Sequence, residues 1–172
     1  YAIKRDSKIK EALALKNIEF QTYKDHVIFE TNEITKKDGK PYVVYTPYAK
    51  KWMEGFEKKQ IVNYPSENLL DQFYVEKKTQ SISLSEMGFK EASTLVKKHD
   101  LSDRIIEQYE ETRNFPALNN TSKLGPHLRF GTVSIRKIVN KAKKRHNLTF
   151  LKELIWREFF MQILWHFPHT CK

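Results

Sequence analysis

The chain of 172 residues contains one cysteine, Cys171. That excludes an internal disulfide framework and favours a reducing compartment. Five glycines and six prolines are too few for a collagen-like or low-complexity chain. No run approaches the roughly 18 uncharged apolar residues of a membrane span. The N-terminus reads Tyr1-Ala2-Ile3-Lys4-Arg5-Asp6, with no initiator Met, signal-peptide core or Arg/Ser-rich transit pattern. The expectation is an internal piece of a longer, cytoplasmic protein. No nucleophile elbow of the Gly-x-Ser-x-Gly kind is present. His166-x-x-His169-x-Cys171 has no fourth ligand at suitable spacing, so no metal is expected.

Acidic residues are the most informative absence. None occurs between Glu111 and Glu153, an interval that holds Arg113, Lys123, Arg129, Arg136, Lys137, Lys141, Lys143, Lys144, Arg145 and Lys152. These ten cations equal the whole formal net charge of +10. A one-signed surface of that density concentrates polyanions, and nucleic acid leads among them. A solvated helix face is an equal alternative for the Lys141–Arg145 cluster alone. His127 and His146 fall within or beside this interval and read as surface or DNA-edge histidines.

What is present sorts into elements. Residues 3–17 read as a helix stopped by Asn17. Residues 18–22, 26–30 and 42–45 have strand-like runs around turn residues. Thr46-Pro47 reads as a helix start, Thr as N-cap and Pro at the first position, carrying Tyr48, Trp52 and Met53 to about Gln60. Residues 61–85 lack sustained periodicity and read as an extended linker. Helices are expected over 87–99, 101–113, 133–144 and 149–167. The last is apolar nearly all round, as a buried helix is, and ends at Pro168.

Two segments carry chemistry. Asn119-Asn120-Thr121-Ser122-Lys123-Leu124-Gly125-Pro126 offers hydroxyls, a cation and the free N–H groups of a helix start, which together suit a phosphate. An ordinary N-cap is the commoner reading of such a loop. In the apolar helix, Glu153, Trp156, Arg157 and Phe160 share one face. A Glu/Arg pair there is either a paired core device or the lining of a cavity.

The run Tyr109-x-x-x-Arg113-x-Phe115-Pro116, followed by Thr121-Ser122-x-Leu124-Gly125-Pro126 and by Glu153-x-x-Trp156-Arg157-Glu158-Phe159, resembles the DNA photolyase/cryptochrome family. Most similar are its class I cyclobutane pyrimidine dimer photolyases. Tyr1–Asp6, Thr46-Pro47-Tyr48 and Trp52 resemble the end of that family's N-terminal domain. The resemblance implies a mainly α chain in three parts: residues 1–62, the end of an α/β, Rossmann-like photolyase domain; 63–85, a linker; and 86–172, the first half of the helical FAD-binding domain.

It also implies roles. Tyr109 contacts FAD, and Thr121, Ser122, Lys123, Leu124 and Gly125 hold its diphosphate. Arg113 reaches the DNA backbone. Trp156 stacks on the damaged base pair, Glu153 hydrogen-bonds to it, Arg157 lines the pocket, and Phe160 joins them on the DNA side. This chain departs from the family's pattern at Gly125, where serine is usual. Implied partners are damaged DNA and FAD, which gives the dimer an electron under light and recovers it after the ring splits. An antenna chromophore of folate or deazaflavin type has its site mostly outside these residues, and Ala2 lacks the acidic group of some folate-binding members. Rival expectations are a cryptochrome-like receptor that binds FAD without repair and a flavin-free helical nucleic-acid-binding module. The piece alone is expected to be inactive and prone to self-association.

Overall fold

The computed structural model describes residues 1–59, 61–62, 64–74, 81–145 and 148–171. Gln60, expected to end a helix, and His146 lie outside them. Among the described residues the chain is helical. Helix α1 spans Ala2–Ala14, buries none of its residues and is followed by Asn17 at φ 55°. Helix α2 is Tyr45–Lys58, and its Tyr48, Trp52 and Phe56, each four apart, form a buried stripe. Its N-cap is Val44 rather than Thr46. Pro47 then sits in the first turn, where its missing N–H removes no helical bond.

Two short helices, α3 (Asp103–Glu107) and α4 (Tyr109–Thr112), replace the single one expected over 101–113. Helix α5 is Leu124–Phe130. It ends at Gly131, whose φ of 67° is the left-handed conformation that glycine adopts without cost. Helix α6, Ile135–Lys143, buries Ile135, Ile138, Val139 and Ala142. Their spacing is that of a one-faced amphipathic helix. Helix α7, Leu148–His166, is the longest. Short 3₁₀ helices cover Ser66–Gln72, about two turns, and Pro168–Cys171, about one.

The core is one cluster. It joins Ile28, Phe29 and Ile34 to the α2 stripe, to α6 and to Phe150, Leu151, Leu154, Ile155 and Phe159 of α7. Helix α7 is its axis, packed against α2 on one side and α6 on another. Fully burying one such side chain contributes about 1.5–3 kcal/mol.

Two expectations fail. The strand-like runs at 18–22, 26–30 and 42–45 form no strand; the one pairing among described residues is the Thr35–Pro41 bridge. A strand needs a ladder partner, and a lone hairpin is marginal in water. Here side chains of α6 and α7 satisfy residues 24–31 instead. The helix expected over 87–99 is also absent. Gly88 there has φ 87°, and Met87, Phe89, Leu95 and Val96 are exposed. A short helix whose apolar stripe meets nothing lacks the packing that would hold it.

Candidate functional site

Helix α7 is apolar all round but not covered all round. Its buried side carries Phe150, Leu151, Leu154, Ile155, Glu158, Phe159 and Gln162. Its other side carries Glu153, Trp156, Arg157, Phe160 and Leu164, with Phe160 55% exposed. The carboxylate of Glu153 accepts a bond from Arg113 Nη1 at 2.5 Å. The Arg113 guanidinium lies 5.5 Å from the Tyr109 ring centroid, and that ring meets Phe150 edge-on at 5.2 Å. Tyr109 and Arg113, at the two ends of α4, are therefore joined to Glu153 on α7. Burial, and then the Glu153 charge, raise the Tyr109 phenol above its ordinary 10.0. The hydrogen bond that Arg113 donates to Glu153 raises its pKa above the ordinary guanidinium value.

Trp156 is half-buried within an aromatic group. Tyr45 stacks on it at 3.5 Å with the planes 5° apart. Phe160, one turn on, lies at 5.5 Å and 24°, and Phe159 meets the indole edge-on at 5.7 Å. The Tyr45 hydroxyl donates to the Lys152 carbonyl at 3.0 Å. Burial and then Glu153 push that phenol up to about 12. Tyr45 was not a candidate from sequence; beside Thr46-Pro47 it reads only as the approach to a helix.

Arg157 points elsewhere. Its Nη1 donates to the His26 carbonyl at 2.8 Å, and burial lowers its pKa. Neighbouring Glu158, also missed from sequence, is 2% exposed. It accepts from Ile28 N at 2.6 Å, Phe29 N at 3.0 Å and Trp52 Nε1 at 2.8 Å. Gln162 Nε2 donates to the Phe29 carbonyl at 3.2 Å, and His166 Nε2 to that of Thr31 at 3.1 Å. Residues at every fourth position of α7 thus hold residues 28–31 in place of a neighbouring strand. A carboxylate in an otherwise apolar helix was the available signal.

Loop 121–125 forms a separate feature. Lys123, at φ 55°, is the N-cap of α5 and makes no side-chain capping bond. The N–H groups of Leu124 and Gly125, the first two of the helix, are therefore not capped by it, and Pro126 at the third position carries no N–H. Thr121 is exposed, Ser122 half-buried and Leu124 buried, and the Ser122 carbonyl accepts from Asp100 N at 2.9 Å. A Cβ added at Gly125 would meet nothing within 4 Å. Hydroxyls, a cation and open N–H groups are a donor set that fits a diphosphate. The bonds described for this loop do not reach the Glu153 cluster.

The basic interval is less bare than its sequence. Asp103 pairs with Lys141 at 3.4 Å and with Arg145, and Glu107 pairs with Arg145 at 3.1 Å. Arg136 donates to the Asp25 and Lys24 carbonyls at 2.9 and 2.6 Å. Lys143 lies 4.5 Å from the Phe56 ring centroid. His127 has its ring nitrogens 2.8 Å from the Thr132 hydroxyl and 3.0 Å from the Lys97 carbonyl; both are engaged within the fold.

Residues 1–66 match the family model described as DNA photolyase. The deoxyribodipyrimidine photo-lyase of Alkalihalophilus pseudofirmus is 30% identical over 98% of the chain and 38% of its own length. That of Synechococcus sp. is 30% identical over 98% of the chain and 40% of its own length. The enzyme of Halobacterium salinarum is 28% identical over 95% and 39%. The chain is similar to DNA photolyases along nearly its whole length. It spans two-fifths or less of the length of these photolyase relatives. Like a piece of such a protein it is mainly α, and none of its described helices is long and apolar enough to cross a membrane.

Proposed function

We propose that the protein carrying this chain repairs DNA by light, splitting cyclobutane pyrimidine dimers with FAD as the electron donor. The observation that carries this reading is a juxtaposition. Tyr109 and Arg113 from one resembling run meet Glu153 from the other, forty-four and forty residues away in sequence, with Trp156 on the same face of α7. The relatives' shared name, deoxyribodipyrimidine photo-lyase, supports it over nearly the whole chain.

When bound, FAD supplies the electron that opens the dimer. The chain's own residues bind and orient. Thr121, Ser122, Lys123 and the N–H groups that open α5 would hold the diphosphate, with Leu124 anchoring the loop in the core and Gly125 leaving it open. The Tyr109 ring would bound the flavin. Arg113 fixes Oε1 of Glu153 and leaves Oε2 to a base edge. Trp156 and Phe160 give a flipped-out lesion an aromatic surface. Arg157, tied to His26, would border that pocket. An antenna chromophore would sit mainly on residues outside this chain, and on this reading the protein works where DNA is accessible, in the cytoplasm of a cell without a nucleus.

Trp156→Ala in the full-length protein tests the reading. Affinity for dimer-containing duplex should fall about 5- to 150-fold, with undamaged duplex nearly unaffected and flavin retained. A folded, flavin-loaded variant with an unchanged damaged-to-undamaged ratio would overturn it.

A further inference from the structure

We infer that Tyr45 is a positioning residue for Trp156: it fixes the indole as a ready-made stacking platform and so ties the first turn of α2 to lesion recognition. This rests on the reading of Trp156 above. Tyr45 and Trp156 lie face to face at 3.5 Å and 5°, one helix against another and 111 residues apart. The tyrosine is itself held at both ends. Its hydroxyl donates to the Lys152 carbonyl at 3.0 Å, and its ring edge meets Phe159 at 5.9 Å. Phe159 is buried in the core, so the platform is referenced to the rigid part of the fold.

Tyr45, but not Trp156, also lines a pocket of about 380 Å³ between α2 and α7, walled by Ala49, Met53, Leu151 and Ile155. Removing the Tyr45 ring would open that apolar space toward the indole face that the ring covers. An aromatic platform that must meet a base in one orientation loses affinity when it can rotate, because the ordering is then completed at binding. The opposite role, Tyr45 as a stand-in that a base must displace, fits poorly with a ring bonded at its far end.

Two measurements decide between these roles. The first is ¹⁹F NMR of the 172-residue chain labelled with 5-fluorotryptophan, assigned with Trp156→Phe. Tyr45→Ala should move and broaden the Trp156 signal and leave that of buried Trp52 in place, while Tyr45→Phe should stay near the parent. The second is duplex binding by the full-length protein. Tyr45→Ala should weaken damaged DNA about 2- to 10-fold, the range of an aromatic pair, and leave undamaged DNA alone; Tyr45→Phe should recover most of the loss. An unmoved Trp156 signal, or tighter damaged-DNA binding by Tyr45→Ala, overturns the inference. If the parent protein itself shows no preference for damaged duplex, the reading of Trp156 fails instead, and the NMR result alone decides whether Tyr45 positions it.

Discussion

A carboxyl group 2% exposed that accepts N–H bonds from Ile28, Phe29 and Trp52 answers two opposed demands. Burial raises the Glu158 pKa above its ordinary 4.5, and the three donors and Arg157 pull it back without restoring it. The folded state therefore keeps a proton that the unfolded chain has released. This group's contribution to stability is greatest below pH 4.5 and declines as pH rises from there through the folded value. Glu33 behaves in the opposite sense. Burial would raise it, but Lys24, the Glu30 N–H and Lys59 together hold it down to about 2. Its contribution is complete above 4.5 and is lost as pH falls toward about 2; its exposure keeps the effect small. Urea midpoints measured across pH should show Glu158→Gln flattening the decline above 4.5 and Glu33→Gln flattening the one below. A Glu158→Gln profile parallel to the parent's would refute the assignment. Gly125 gives a second residue-scale expectation. An added side chain there meets open space, so Gly125→Ser should restore a hydroxyl and tighten flavin binding about fivefold, the worth of one net hydrogen bond of about 1 kcal/mol. Flavin retained after dialysis measures it.

At the scale of elements, residues 24–31 show how far the sequence could be read. Lys24-Asp25 reads as a turn and 26–30 as a strand-like run. What holds them, however, is side chains more than a hundred positions away: Arg136, Arg157, Glu158, Gln162 and His166. Local patterning contains no record of such partners. By contrast, α6 and α7 were legible to within one or two residues at each end. The α6 stripe repeats with helical period, and Pro168 closes α7. The face shared by Glu153, Trp156 and Phe160 followed from spacing alone. Its completion by Tyr109 and Arg113 was not legible: the resemblance assigned those residues to FAD and to the DNA backbone, and their junction with Glu153 emerged only from the structure; its Tyr45 partner had no signal at all. The strap at 24–31 makes a prediction of its own. Amides of Ile28 and Phe29 should resist hydrogen exchange although they belong to no sheet. Glu158→Leu leaves three buried donors unpaired, at about 1–3 kcal/mol each. It should abolish that protection while Ile138 and Val139 in α6 keep theirs; equal protection in parent and variant would show that the strap is held otherwise.

For the whole molecule, the outward side of α7 sets the behaviour of the 172-residue chain. Phe160, Leu164 and Trp165 are 55%, 48% and 59% exposed. An apolar face of this kind on an isolated chain favours association with another copy. A net charge of +10 opposes it at low salt, so association should strengthen as salt screens the repulsion. Sedimentation velocity should therefore show a concentration-dependent shift to dimers or larger species, more pronounced at high salt. Leu164→Glu should return the chain to monomer while changing its stability by less than about 0.5 kcal/mol, as surface substitutions do. Leu154→Glu, placed at a position only 7% exposed, should instead unfold it, because a charge there is buried without a partner. A monomer at all concentrations and salt levels would mean that the outward face of α7 is not sticky, and the apolar character of that helix would then need another explanation.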